Sequence, residues 1–262
     1  MRWIRQLFMH SHLYHFLFRF IYVACLSLIA LSSSSAAVAG VNEKYQSFTK
    51  AKKVLMSNVY MGTLERKTIY CGASFDKKKN ITPPTGFKTS VYKKRAKRVE
   101  MEHVVPAENF GRAFVEWREG NKACMNSKGK SFKGRKCASK MNTEYQYMQS
   151  DLYNLYPAIG AVNALRSNYN FTLLPSAKSD FGQCDMRIDH RKAQPPVKAR
   201  GRIARTYMYM QAVYPKYTMS KQQQKLMIAW DKQFPVSQWE CVRAKRIEKI
   251  QGNKNMFVLR GC

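Results

Sequence analysis

The sequence is short of acid: 16 Asp and Glu face 46 Lys and Arg, for a formal net charge of +30. That imbalance points to a polyanionic partner, nucleic acid before an anionic membrane or glycan surface. Solubility alone needs far less charge. Histidine is scarce too. Of five, His10, His12 and His15 fall in the first 39 residues, leaving His103 and His190. Candidates for a general base near neutral pH are therefore few. No cysteine pair has C-x-x-C spacing, which with so few histidines argues against structural zinc. There is no internal repeat, and helical and extended patterns alternate without repeated βαβ units. This predicts an α+β fold.

Residues 1–39 read as a removable signal peptide. Arg2, Arg5 and Arg19 form a basic region, residues 20–31 an apolar core, and Ala37-Val38-Ala39 a small-residue cleavage site. The apolar core is too short for an ordinary membrane span. Residues 40–262 then form one domain with a net charge of +27, because the leader carries three basic residues and no acid. Six cysteines stay with that domain: Cys71, Cys124, Cys137, Cys184, Cys241 and Cys262. An even number in an exported chain predicts three disulfides. Cys124 and Cys137 are close enough in sequence to close a loop together, and Cys262 is placed to tie down the tail; the pairing itself stays open.

Residues 98–107, R-V-E-M-E-H-V-V-P-A, carry the densest chemistry. Their alternation predicts a strand. Adjacent side chains of a strand point to opposite faces, so Glu102 and His103 work from different directions. A basic run, Lys93, Lys94, Arg95, Lys97 and Arg98, leads into the strand and is a candidate phosphate contact. Elsewhere the patterns predict a first helix around Tyr45 to Leu55 and a short strand over 68–71. A helix follows over 109–120, then a basic surface loop over 126–140. A helix ends at Pro157, and a turn-rich segment holds Asn163, Arg166 and Asn168. Strand character follows over 184–189, with helices over 200–213, 220–231 and 237–251. Asn154, inside the helix before Pro157, reads by itself as an exposed or capping polar residue. His190, between Asp189 and Arg191, reads as a polar strand or loop residue.

Four ordered segments carry a resemblance. They are E-M-E-H-V-V-P-A (100–107), D-L-Y-N-L-Y-P-A-I-G-A-V-N (151–163), R-G-R-I-A-R-T-Y-M-Y-M (200–210) and W-E-C-V-R-A-K-R-I-E-K-I-Q-G-N-K-N (239–255). Together the chain resembles the bacterial endonuclease I family of periplasmic and secreted non-specific nucleases with a ββα-metal active site. The resemblance implies a single disulfide-stabilised domain built around that motif. It implies Glu102 and Asn154 as metal ligands, His103 as the base that activates water, and products with 5′-phosphates. The family's phosphate-gripping arginine falls at Lys122, with Arg118 as the alternative. Lys94, Arg95, Arg98, Arg118 and Arg166 are the expected nucleic-acid contacts. The expected cofactor is Mg²⁺ or another divalent cation. The expected substrate is DNA, with RNA second. The expected state is a secreted or periplasmic monomer without stable membrane association once the leader is gone. The sequence departs from the family pattern at Tyr153, Ala161, Leu165, Gln194 and Ala73. Those departures keep two other readings in view: an inactive exported nucleic-acid binder of the same fold, and a basic surface protein for membranes or acidic glycans.

Overall fold

The computed structural model describes residues 40–262; the expected leader and cleavage site lie outside the described residues. Ser47 caps the first helix, α1 (Phe48–Asn58), by accepting from Lys50 N, and Ala51 and Leu55 bury its inner face. The strand expected over 68–71 is a turn. Gly72, at φ +67°, lets Thr68 N bond back to Ala73 O and Thr68 Oγ1 accept from Ala73 N. A hairpin follows, β1 (Ser74–Phe75) with β2 (Ile81–Thr82), and then a short helix, α2 (Lys93–Ala96).

The strand β3 (Val99–His103) holds Glu102 and His103. The single helix expected over 109–120 is two, α3 (Ala107–Gly111) and α4 (Val115–Arg118). Phe114 between them is extended, and the chain folds back until the Trp117 ring covers Gly111, where an added Cβ would lie 2.3 Å from the ring. Residues 126–140 start as the expected disulfide-closed loop but end in a helix, α5 (Arg135–Met141), followed by α6 (Thr143–Gln149).

The helix expected before Pro157 is a single 3-10 turn, Leu152–Asn154, leading into β4 (Leu155–Ile159). Asp151 stops the helix by capping Tyr153 N with its own carboxylate. β4 pairs antiparallel with β3, Glu102 opposite Tyr156 and His103 opposite Leu155. The turn-rich segment that follows is instead a helix, α7 (Gly160–Arg166), so β3, β4 and α7 make a ββα unit. A small sheet holds β5 (Asn170–Phe171), β6 (Arg187–Asp189) and β7 (Lys192–Gln194), and His190 sits exposed in the turn between the last two.

Three long helices close the domain: α8 (Val197–Val213), α9 (Lys221–Gln233) and α10 (Gln238–Gln251). A last turn of helix, α11 (Met256–Leu259), ends the chain. Ser220 caps α9 as its sequence predicts, and Ser237 with Glu240 forms a capping box on α10. α8 is the core helix, its Ile203, Ala204, Tyr207 and Tyr209 fully buried. The disulfides pair Cys71 with Cys184, Cys124 with Cys137 and Cys241 with Cys262. Among the described residues no helix is long and apolar enough to cross a membrane.

Where α8 meets the loop after α9, Gly201 has no space for a side chain. A Cβ there would lie 2.6 Å from Phe234 O and 2.7 Å from Arg205 Nη2. Gly201→Ala is expected to destabilise the fold by about 1–3 kcal/mol, read as a lower urea midpoint.

Candidate active site

The site is built where the ββα unit turns. β3 runs out at His103, and the chain reverses through Val104 and Val105. Asn154 arrives alongside on the 3-10 turn. Its backbone O accepts from Val104 N at 3.1 Å, its Oδ1 accepts from Val105 N at 2.7 Å, and its Nδ2 donates to Val105 O at 3.0 Å. Buried Arg243 secures that turn from α10 by donating to Leu152 O at 2.7 Å and Leu155 O at 2.8 Å. Asn154 is thus fixed at both ends of its side chain, and its Oδ1 keeps a second lone pair.

Glu102 is 3% exposed and takes two donors on one oxygen: Tyr70 Oη at 2.6 Å and Arg166 Nη1 at 2.5 Å, both to Oε1. Oε2 has no donor among the described residues. Burial pushes the Glu102 carboxyl upward against the pull of Arg166 and Tyr70, while the carboxylate beside it holds the Arg166 guanidinium high. Arg166 is fully buried. Its five N–H groups serve Tyr169 O, Glu102, His103 O, Val104 O and Tyr207 Oη. It has nothing left for a phosphate, so the expected nucleic-acid contact at Arg166 is corrected: it is an internal brace.

His103 faces the other way. Its ring stacks on Phe48 with centroids 4.8 Å apart, and Nε2 lies 2.8 Å from Gln149 O. A carbonyl only accepts, so Nε2 carries the proton and Nδ1 keeps the lone pair. Burial, and then Arg135, push the imidazole pKa down to about 3. The ring is neutral at physiological pH.

The other expected residues separate. Lys122 is exposed in the segment before Cys124, lining a cleft of about 560 Å³ with Glu119, Asn121 and Lys133, and not the cleft that Phe48 and Gln149 line. Arg118 donates to Arg112 O and pairs with Glu119 at 3.6 Å. Arg95 and Arg98 both turn onto Glu100, which also accepts from Asn163; Lys94 is exposed beside them. The cation next to His103 is instead Arg135, at the start of α5, its guanidinium 4.8 Å from the Phe48 ring centroid. It was hidden in the lysine-rich segment 126–140, where nothing in the spacing separates it from its neighbours. The Cys124–Cys137 bridge two residues on was the available signal, because it fixes where that segment ends.

Arg135 also lines an open cleft of about 670 Å³ with Phe48, Lys136, Lys140 and Gln149. No group of three or more His, Cys, Asp or Glu side chains gathers into a metal cluster among the described residues. A cation here would rest on one carboxylate oxygen, Glu102 Oε2, and one amide oxygen, Asn154 Oδ1. Two oxygen donors suit a hard divalent ion that keeps most of its water.

The sequence model of the Endonuclease I family matches residues 41–262. An extracellular deoxyribonuclease of Aeromonas hydrophila is 36% identical over 253 residues, covering 94% of this chain and 100% of that protein. Endonuclease-1 of Buchnera aphidicola subsp. Acyrthosiphon pisum (strain APS) is 40% identical over 202 residues, 74% of each chain. A periplasmic deoxyribonuclease of Aeromonas hydrophila is 39% identical over 202 residues, 74% of this chain and 79% of that one.

Arg166→Met would leave Glu102 buried without its cation. We expect a loss of about 3–5 kcal/mol in urea unfolding, most of it recovered by adding Glu102→Gln. His103 supplies a second test. The unfolded chain protonates its histidine near pH 6.5 but the fold only near 3, so stability contributed by neutral His103 is present above about 6.5 and lost as pH falls. Between pH 7 and 5 this loss is about 2 kcal/mol. His103→Gln should show a correspondingly smaller loss over that range.

Proposed function

We propose that this chain, which belongs to the endonuclease I family, hydrolyses phosphodiester bonds within DNA with little regard to sequence. The observation that carries the reading is the state of His103: neutral, oriented by Gln149 O through Nε2, with Nδ1 unprotonated. A neutral base held in this way can accept a proton from the attacking water, a bound phosphate offsetting the Arg135 charge that lowers its basicity, and the resulting nucleophile attacks phosphorus. The bond to the 3′ oxygen breaks and the phosphate stays on the 5′ side.

Arg135 takes the phosphate-stabilising role that the sequence pattern assigns to Lys122. It stands on the His103 side of the site, and a guanidinium offers paired donors to a phosphate. When bound at Glu102 and Asn154, a divalent cation, Mg²⁺ by preference, supplies positive charge against the phosphate and the departing oxygen. Arg166 and Tyr70 keep Glu102 turned so that one oxygen is left for it. Exposed lysines on the face around the site supply sequence-independent affinity for the backbone.

Residues 1–39 direct the chain out of the cytoplasm, as the names of the extracellular and periplasmic relatives suggest. The three disulfides agree with an oxidising destination.

The experiment is cleavage of supercoiled plasmid and of RNA by the oxidised protein, with Mg²⁺ and with EDTA. Plasmid should be nicked and linearised with Mg²⁺ and stay intact in EDTA; RNA cleavage establishes the second substrate. His103→Ala should lower the rate about 10²- to 10⁴-fold, and Arg135→Ala about 10²-fold or more. Binding without cutting under several divalent cations would sink the enzyme reading. Undiminished cutting by His103→Ala would refute the base.

A further inference from the structure

A second group of unpaired cations stands beyond His103, at the far end of α1. The hairpin β1–β2 turns through Asp76-Lys77-Lys78-Lys79-Asn80. The tip is rigid. Asp76 accepts from Asn80 N and Asn80 Nδ2, both at 2.8 Å, and Lys79 holds φ at +70°, where a lysine sits only if its surroundings impose it. The tip is also bonded to the strand that bears the reaction centre: Val99 N donates to Lys79 O at 2.9 Å, and Ile81 N to Lys97 O at 3.0 Å.

Opposite the tip, α1 presents Lys53 and Met56. With Lys77, Lys79 and Arg66 these line an open cleft of about 530 Å³. Arg66 is buried and donates to Tyr60 O and Met61 O, so the exposed charges are the lysines. Lys52 joins this cleft to the reaction centre. Its ammonium is pushed down by partial burial, then by Lys79 and Arg135. It lies 4.5 Å from the centroid of the same Phe48 ring that stacks on His103 and carries Arg135 on it. Among the described residues none of Lys52, Lys53, Lys77, Lys79 and Arg135 forms an ion pair. Like charges held together on these elements, none of them in an ion pair, repel one another until a polyanion arrives.

We propose that the cleft between α1 and the hairpin tip grips a second phosphate of the bound DNA, several nucleotides from the bond that is cut, and so sets the shortest strand the protein holds well. The proposal rests on the nuclease reading for its substrate and adds a place and a length. From Phe48 to Met56 α1 advances about 12 Å. DNA advances about 3.4 Å per nucleotide, so the second grip falls about three to four nucleotides from the first. Lysines make it a point-charge contact, indifferent to base identity.

The test is binding, read by fluorescence anisotropy without divalent cation, of a 20-base-pair duplex and of a three-nucleotide fragment. The variant is Lys53→Ala/Lys77→Ala/Lys79→Ala, all exposed positions. The control removes equal charge from α9, by Lys221→Ala/Lys225→Ala/Lys232→Ala. We expect the first triple to weaken duplex binding roughly tenfold or more at low salt and to flatten log K against log salt by about one to two. Fragment binding should not change, and neither should duplex binding by the control. Three arginines in place of the lysines should restore it. Where the protein cuts, KM for duplex should rise with kcat unchanged. Unchanged duplex binding, equal losses on fragment and duplex, or equal losses in the control would each overturn the proposal. A wild type that binds duplex and never cuts would overturn the nuclease reading and leave this one measurable.

Discussion

The ion pair between Arg166 and Glu102 is made between two buried side chains. Two charges taken out of water are stable there only if each has the other and every remaining donor finds an acceptor. Arg166 meets that condition by reaching from the end of α7 to the carbonyls of His103 and Val104 as well as to Glu102. One guanidinium therefore sets the angle between helix and strand and the path of the chain after His103. It also decides which oxygen of Glu102 is left over. The candidate site takes its shape from a residue held wholly inside the fold.

The same device recurs through the interior. Arg205 is held by Glu240, Asp231 and Phe234 O, and Arg243 by Tyr60, Tyr156 and two carbonyls flanking Asn154. The internal braces are arginines, while the lysines stand outside. The division follows from the two cations: a planar fork of donors can saturate several carbonyls at once, whereas an ammonium is strongly hydrated. These inward arginines are matched by acids, Glu102 for Arg166 and Glu240 with Asp231 for Arg205, so the excess positive charge that faces solvent is carried largely by lysine.

Much of the framework was legible before any coordinates. Ser220 and Ser237 announced α9 and α10, the alternation over 99–103 announced β3, and the even cysteine count announced three bridges. What misled were segments whose apolar spacing suits a helix but whose local hydrogen bonds end it early. Asp151 caps its own turn and sends Asn154 into β4, and Trp117 folds over Gly111 and splits one helix into two. Within the site, Glu102 and His103 stood out by pattern and Asn154 only through the family resemblance, whereas the bracing of Glu102 by Arg166 and the place of Arg135 on the Phe48 ring had no such signal. Burial distinguishes a bracing arginine from a binding one, and burial is a property of the fold as a whole. Phe48 falls within the predicted first helix, and that helix did form; only the packing shows that its ring lies against His103.

The partner that orients His103 is a main-chain oxygen, Gln149 O. A side-chain partner can be deleted by one nucleotide change. A peptide carbonyl is supplied by whatever residue occupies the position. Drift at residue 149 can therefore alter the edge of the neighbouring cleft, which its side chain helps to line, without removing the acceptor that holds the imidazole tautomer. The part of the site that must stay constant is written in the backbone, and the part beside it is left open to evolutionary change.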